Sequence, residues 1–155
     1  MVQRLIDDKA MHRLRHAEYV DILCIGTPKV IGDAVGPLIG TMLIDMQLPE
    51  YINVIGSLSE PVHRQNYYTM IKCIREDAFI LSIDACIGDN YPLVCVDNSP
   101  LKAGAALTDE LDFIGDISIK CFTARDVELL YFCSLSDIYS IAKTTVDIIT
   151  HALQI

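Results

Sequence analysis

Residues 77–85, DAFILSIDA, carry an unbroken apolar run, AFILSI, that stops at Asp84. Apolar on both alternating faces, the run suits a parallel strand covered on both sides rather than a half-solvated antiparallel one. A strand of that kind needs neighbours and crossover helices, and the rest of the chain supplies them in alternation. YVDILCIG (19–26) reads as a first strand, and Pro37 suits the first turn of a helix running to about Met46. YINVIG (51–56) is a second strand, followed by PVHRQNYYTMIKCIRE (61–76), which has Val62, Tyr67, Met70, Ile71 and Ile74 at helical spacing.

After the third strand (77–85) come PLVCVDN (92–98) as a fourth and GDISIKCF (115–122) as a fifth. VELLYF (127–132) reads either as a sixth short strand or as the approach to the last helix. From Ser134 or Ser136 to about Leu153 the pattern is helical, with Ile138, Ile141, Ala142, Ile148 and Ile149 on the apolar side. This alternation predicts an α/β fold with a parallel or mostly parallel sheet and helices on both faces. If the first strand is central, the order begins 2-1-3. The C-terminal ends of strands one and three then flank the switch point where such sheets bind ligands.

At 155 residues the chain is expected to form one α/β domain, 1–155, in which 1–18 is a basic N-terminal segment. Arg4, Lys9, His12, Arg13, Arg15 and His16 in that segment read as a solvated helix face or a mobile terminus. The net charge is −9, which disfavours nucleic acid, whose affinity comes from phosphate neutralisation. The apolar runs are too short to span a membrane, and the N-terminus lacks a signal-peptide core, so the expected compartment is the cytoplasm. Cys24, Cys73, Cys86, Cys95, Cys121 and Cys133 are well separated and form no CxxC pair. They read as reduced, mostly buried small hydrophobes rather than zinc ligands.

The chemistry gathers in LCIGTPKVIGDAVGPLIGTML (23–43). Strand, glycine loop and helix have the outline of a phosphate-binding turn, but Gly26, Gly32 and Gly36 do not follow GxGxxG. Asp33 stands where a Walker loop has its lysine, and it would repel phosphate. Asp33 reads either as the N-cap of the following helix or as a functional carboxylate. Asp84 is harder to explain as structure, since a carboxylate at the end of an apolar strand is costly unless paired or open to a cleft. Two carboxylates facing one crevice suit general acid/base work on a water and a carbonyl, and they equally suit a divalent metal. As a helix start, Asp33 is expected to stay ionised and act as base, with Asp84 pushed towards protonation. His63 reads as a surface histidine at the start of the second helix or as a third member of the site. Lys102, in the Pro/Gly turn region NSPLKAGAAL (98–107), reads as a solvated lysine or a contact for a ligand carboxylate. Asp116 lies at a strand edge and as a single acid says little, and no GxSxG elbow is present.

GTPKVIGDAVGPLIGTML, SLSEPVH, FILSIDACIG, PLKAGAAL and IGDISI occur in the order seen in the YyaC family of sporulation proteins, which this chain resembles over about residues 19–153. That family is related to the spore germination protease and, more distantly, to hydrogenase maturation proteases. The resemblance implies a three-layer α/β/α sandwich of phosphorylase/hydrolase-like type with a mostly parallel central sheet. It also implies that Asp33 in GDAVGP and Asp84 in SIDAC match the two aspartates of the germination protease. The loop Pro28–Ile31 is more apolar than the family pattern, and LKAG replaces LKPG. The histidine that completes the metal site of hydrogenase maturation proteases has no evident counterpart after the fourth strand, which argues against a nickel-type site. The expectation is a sporulation-associated peptidase of a spore-forming bacterial cell, with a peptide or protein substrate and an Asp33–Asp84 catalytic pair. A homo-oligomer is compatible with it. The alternative is a non-catalytic peptide- or protein-binding factor on the same scaffold.

Overall fold

A computed structural model describes residues 1–103 and 112–155. In chain order the elements are β1 (Gln3–Ile6), α1 (Asp8–Arg15), β2 (Val20–Cys24), α2 (Val35–Asp45), β3 (Ile52–Ile55) and α3 (Tyr67–Met70). They continue with β4 (Phe79–Ile87), β5 (Leu93–Asp97), β6 (Leu101–Lys102), β7 (Phe113–Ile114), β8 (Ile117–Ala124) and α4 (Leu135–Leu153). The main sheet has six strands in the order β1-β5-β8-β4-β2-β3, and β6 with β7 forms a separate two-stranded ribbon. β3, β2, β4 and β8 run parallel, while β5 meets β8 antiparallel and pairs β1 in parallel. The expected 2-1-3 order of the first three predicted strands is the observed β3-β2-β4.

Side-chain alternation sorts the residues onto two faces. Ile22, Cys24, Leu81, Ile83, Ala85, Ile117, Ile119 and Cys121 point into a core covered by α1, α2 and α4. α4 buries Ile138, Ile141, Ala142, Ile148 and Ile149 there, at the predicted positions. Truncating one such residue, Ile141→Ala, costs about 2–5 kcal/mol by the usual range for core deletions. Leu23 and Ile25 point to the opposite face, where Val62, Tyr67 and Leu101 pack on them.

The basic segment 1–18 takes one of its two readings, a helix with a solvated basic face: Lys9, His12, Arg15 and the C-cap His16 are exposed. The segment is also part of the fold. β1 extends the sheet beside β5, and Ala10 and Leu14 of α1 lie in the core. Arg13 is tied down by hydrogen bonds to Asn98 Oδ1 (2.7 Å) and the Asp116 carbonyl (3.2 Å). The predicted helix 61–76 reduces to the single turn of α3 and a 3₁₀ turn at Ile71–Cys73. The cause is Asn66: its side chain accepts from the His63 N–H (2.8 Å) and donates to the Pro61 carbonyl (2.8 Å). That local turn competes with helix formation. Of the two readings of 127–132 the second holds: a 3₁₀ turn, Glu128–Phe132, leads into α4, and no strand forms there.

Candidate active site

β2 ends at Cys24, but the chain keeps bonding past it. The Ile25 N–H donates to the Ile83 carbonyl (2.8 Å), and the Gly26 N–H donates to the Val62 carbonyl (2.8 Å). Gly26 then turns with φ +148, a conformation that L side chains rarely adopt, and a Cβ there would lie 2.1 Å from the Asp33 carbonyl oxygen. At Gly36 a Cβ would lie 2.0 Å from the Ile25 carbonyl oxygen. The glycines of this loop therefore serve close backbone packing: they let α2 sit directly on the end of β2.

The turn so formed carries Asp33. It belongs to a 3₁₀ turn, Ile31–Asp33, and the N-cap of α2 is Ala34, which makes no side-chain cap bond. The N-cap expectation is thus not met. The Asp33 carboxylate reaches backwards instead and accepts the Thr27 N–H at 2.7 Å. Asp33 is 4% exposed. Burial pushes its carboxyl up to about 6, against the opposing pull of the Thr27 N–H. The expectation that the helix start and backbone donors favour the charge of Asp33 is corrected: away from the cap position, desolvation outweighs the single backbone donor.

Asp84 lies one residue after Ile83, the residue whose carbonyl receives the Ile25 N–H, so it stands on β4 just past the end of β2. It is 2% exposed and accepts the Ala85 N–H at 2.8 Å. Because Leu23 is in register with Ser82, Asp84 shares the face of Leu23 and Ile25. Tyr67 is 2% exposed in the apolar cluster on that face. Burial raises its phenol to about 12, with smaller contributions from Tyr68, Asp112 and Asp84. Lys120 is in register with Asp84 on β8, and its ammonium bonds Asp97 at 2.9 Å. Tyr67 was legible only as an apolar helix position, and Lys120 only through a long-range pairing that sequence does not reveal.

His63 follows Val62, whose carbonyl holds Gly26, so the chain brings it to the same edge as the Asp33 loop. It sits in the loop ahead of α3, not on a helix, and its Nδ1 accepts the Gln65 N–H at 3.2 Å. Lys102 is half-buried on β6, next to Leu101, which packs with Ile25, Val62 and Tyr67. Residues 104–107 of the turn region 98–107 lie outside the described residues. Among the described residues no group of three or more His, Cys, Asp or Glu could hold a metal ion. Two of the six free cysteines, Cys24 and Cys121, are buried, Cys73 is exposed, and the other three are intermediate, fewer buried than expected. Among the described residues no helix is long and apolar enough to cross a membrane.

The fold has solved counterparts. It is similar to a [NiFe] hydrogenase maturation protease HycI from Thermococcus kodakarensis KOD1, with a TM-score of 0.64 and 15% identity over 94% of this chain and 98% of that one. It is also similar to a hydrogenase 2 maturation peptidase from Thaumarchaeota archaeon SCGC_AB-539-E09, with a TM-score of 0.58 and 16% identity over 88% of this chain and 98% of that one. In sequence it is 37% identical over 103 residues to "Uncharacterized protein YyaC" of Bacillus subtilis (strain 168). That alignment spans 63% of this chain and about half the length of the relative (50%). A family model described as "Protein of unknown function (DUF1256)" matches residues 2–148, and the chain belongs to that family.

Proposed function

We propose that this chain is a peptide-bond hydrolase of the germination-protease type, acting in the cytoplasm of a spore-forming cell through Asp33 and Asp84. The observation that carries the reading is two buried carboxylates on adjacent parallel strands, Asp84 on β4 beyond the point where β2 ends and Asp33 in the turn that follows β2, the latter with its carboxyl raised to about 6. A group titrating there is well matched to proton transfer near neutral pH. Asp33 takes a proton from water as the water oxygen adds to the peptide carbonyl. The C–N bond then breaks while the amine nitrogen receives a proton from Asp84, and the pair exchanges which carboxyl is protonated. His63 and Lys102 are the candidates for contacting the substrate chain around that bond. The motif order shared with sporulation proteins and the likeness in fold to maturation proteases both support a polypeptide substrate.

The test compares wild type with Asp33→Asn and Asp84→Asn on acid-soluble spore proteins and a peptide library, reading new termini by mass spectrometry. Each variant is expected to lose about 100-fold or more of the wild-type rate, the scale of a lost general acid or base. Full activity in either variant would sink the mechanism. Absence of cleavage by wild type on every substrate would favour the binding-factor reading.

A further inference from the structure

The chain between Val127 and Tyr139 concentrates exposed apolar surface. Six of the sixteen exposed large hydrophobic residues among the described residues fall there: Val127, Leu129, Tyr131, Phe132, Leu135 and Tyr139. Phe132 is 82% exposed. The backbone beneath them is firmly held. The Asp126 carboxylate accepts the Leu129 N–H (2.9 Å), and the Cys133 thiol donates towards the carbonyls of Thr123 (3.3 Å) and Leu129 (3.2 Å). Leu130 is fully buried below. An aromatic presented to water on a fixed scaffold marks a contact surface more often than a packing failure.

Leu129, Phe132, Cys133 and Tyr91, with Arg125 and Asp137, line an open groove of about 390 Å³. The groove abuts the turn that carries Asp33. At Gly32 a Cβ would lie 2.7 Å from Leu130 Cδ2 and 3.0 Å from Cys133 Sγ. Val30, Ala124 and Leu130, with Cys133 packed against them, form one apolar cluster joining the turn to the groove wall. The surroundings are acidic. Asp126 and Glu128 flank the apolar segment, Asp137 lines the groove, and Asp89 lies in the turn whose Gly88 N–H bonds the Ala124 carbonyl (3.0 Å). Arg125 is the single cation of the lining.

We propose that this groove docks a basic, apolar segment of the polypeptide substrate, an inference that rests on the hydrolase reading above. An aromatic or aliphatic side chain packs on Leu129 and Phe132, and an adjacent Lys or Arg meets the carboxylates of the rim. A second copy of this chain is the poorer occupant. Both partners would bring the same acidic rim to a two-fold interface, on chains of net charge −9.

The experiment measures fluorescence anisotropy of labelled short peptides with the full chain carrying Asp33→Asn, so that binding is read without cleavage. The probes are Lys–Phe, Glu–Phe and Lys–Ser alternating peptides. The Lys–Phe peptide is expected to bind best, to weaken as salt rises, and to lose about tenfold or more on Leu129→Ser with Phe132→Ser. Both residues are exposed, and thermal unfolding by circular dichroism checks that the double variant folds. Absence of Lys–Phe binding, equal binding by the double variant, or preference for Glu–Phe would overturn the proposal. So would a wild-type dimer that Phe132→Ser converts to monomer. Binding that persists where wild type cleaves nothing would overturn the hydrolase reading and leave the docking site standing. Cleavage unaffected by the double variant would overturn the docking site alone.

Discussion

Asp21 in β2 and Asp33 just past the end of that strand are both buried carboxylates, 0% and 4% exposed, in opposite surroundings. Asp21 is clamped by Arg75. Its Oδ2 accepts the Arg75 N–H at 2.7 Å and its Oδ1 accepts Nε at 2.7 Å, while Nη2 also reaches the carbonyls of Val20 (3.0 Å) and Tyr51 (2.9 Å). Asp116, at the same end of the strands and partly exposed, accepts the Ile80 N–H at 2.8 Å and faces Arg13 at 3.9 Å. Asp33 has a backbone N–H and no cation within salt-bridge distance among the described residues. One end of the strands uses buried charge for structure. The other holds a carboxyl in a state that costs stability, the pattern expected where chemistry is carried out.

The largest expected effect is at the clamp. Arg75→Ala leaves the Asp21 carboxylate buried without its cation and should destabilise the fold by about 3–5 kcal/mol, read by urea unfolding at neutral pH. A loss below about 1 kcal/mol would mean that Asp21 is not held by this pair.

Asp33→Asn should act in the opposite direction. A folded-state value raised from 3.8 to about 6 corresponds to about 3 kcal/mol. The unfolded chain releases this proton first, so stability falls as pH rises across that window and is lowest above the folded value. The Asn variant should therefore be more stable than wild type by up to about 3 kcal/mol at pH 7.5, with the gain disappearing near pH 4. Equal stability at both pH values would remove the contrast between the two ends.

The smallest effect concerns the strands between them. Cys24 and Cys121 are buried and their thiols raised, Cys121 to about 12, by desolvation above all. A thiol reagent should label Cys73 rapidly in the native protein and reach Cys24 and Cys121 only on unfolding. Fast native labelling of Cys24 would mean that the end of β2 opens.

The elements that place the two aspartates were readable because they are apolar runs with a clear period. AFILSI and DILCI have no other stable home than the middle of a parallel sheet, and the order β3-β2-β4 follows from their alternation with helices. β1 was not readable, since QRLI is exposed at all four positions and has no alternation to betray it. The role of Asp33 was half legible. Its place after a strand and before a helix was clear, but the 3₁₀ turn moves the cap to Ala34 and turns the carboxylate back to Thr27. Local turn chemistry at Asn66 likewise undid a helix that hydrophobic spacing alone supports.

The central claim is that Asp33 and Asp84 share one crevice and one proton, and carboxyl-carbon NMR titration tests it most directly. Asp33 should titrate near 6 in the wild type, and its midpoint should move in Asp84→Asn, because a proton shared by the pair couples the two titrations. An Asp33 midpoint in the ordinary aspartate range, or one that Asp84→Asn leaves unchanged, would contradict the account.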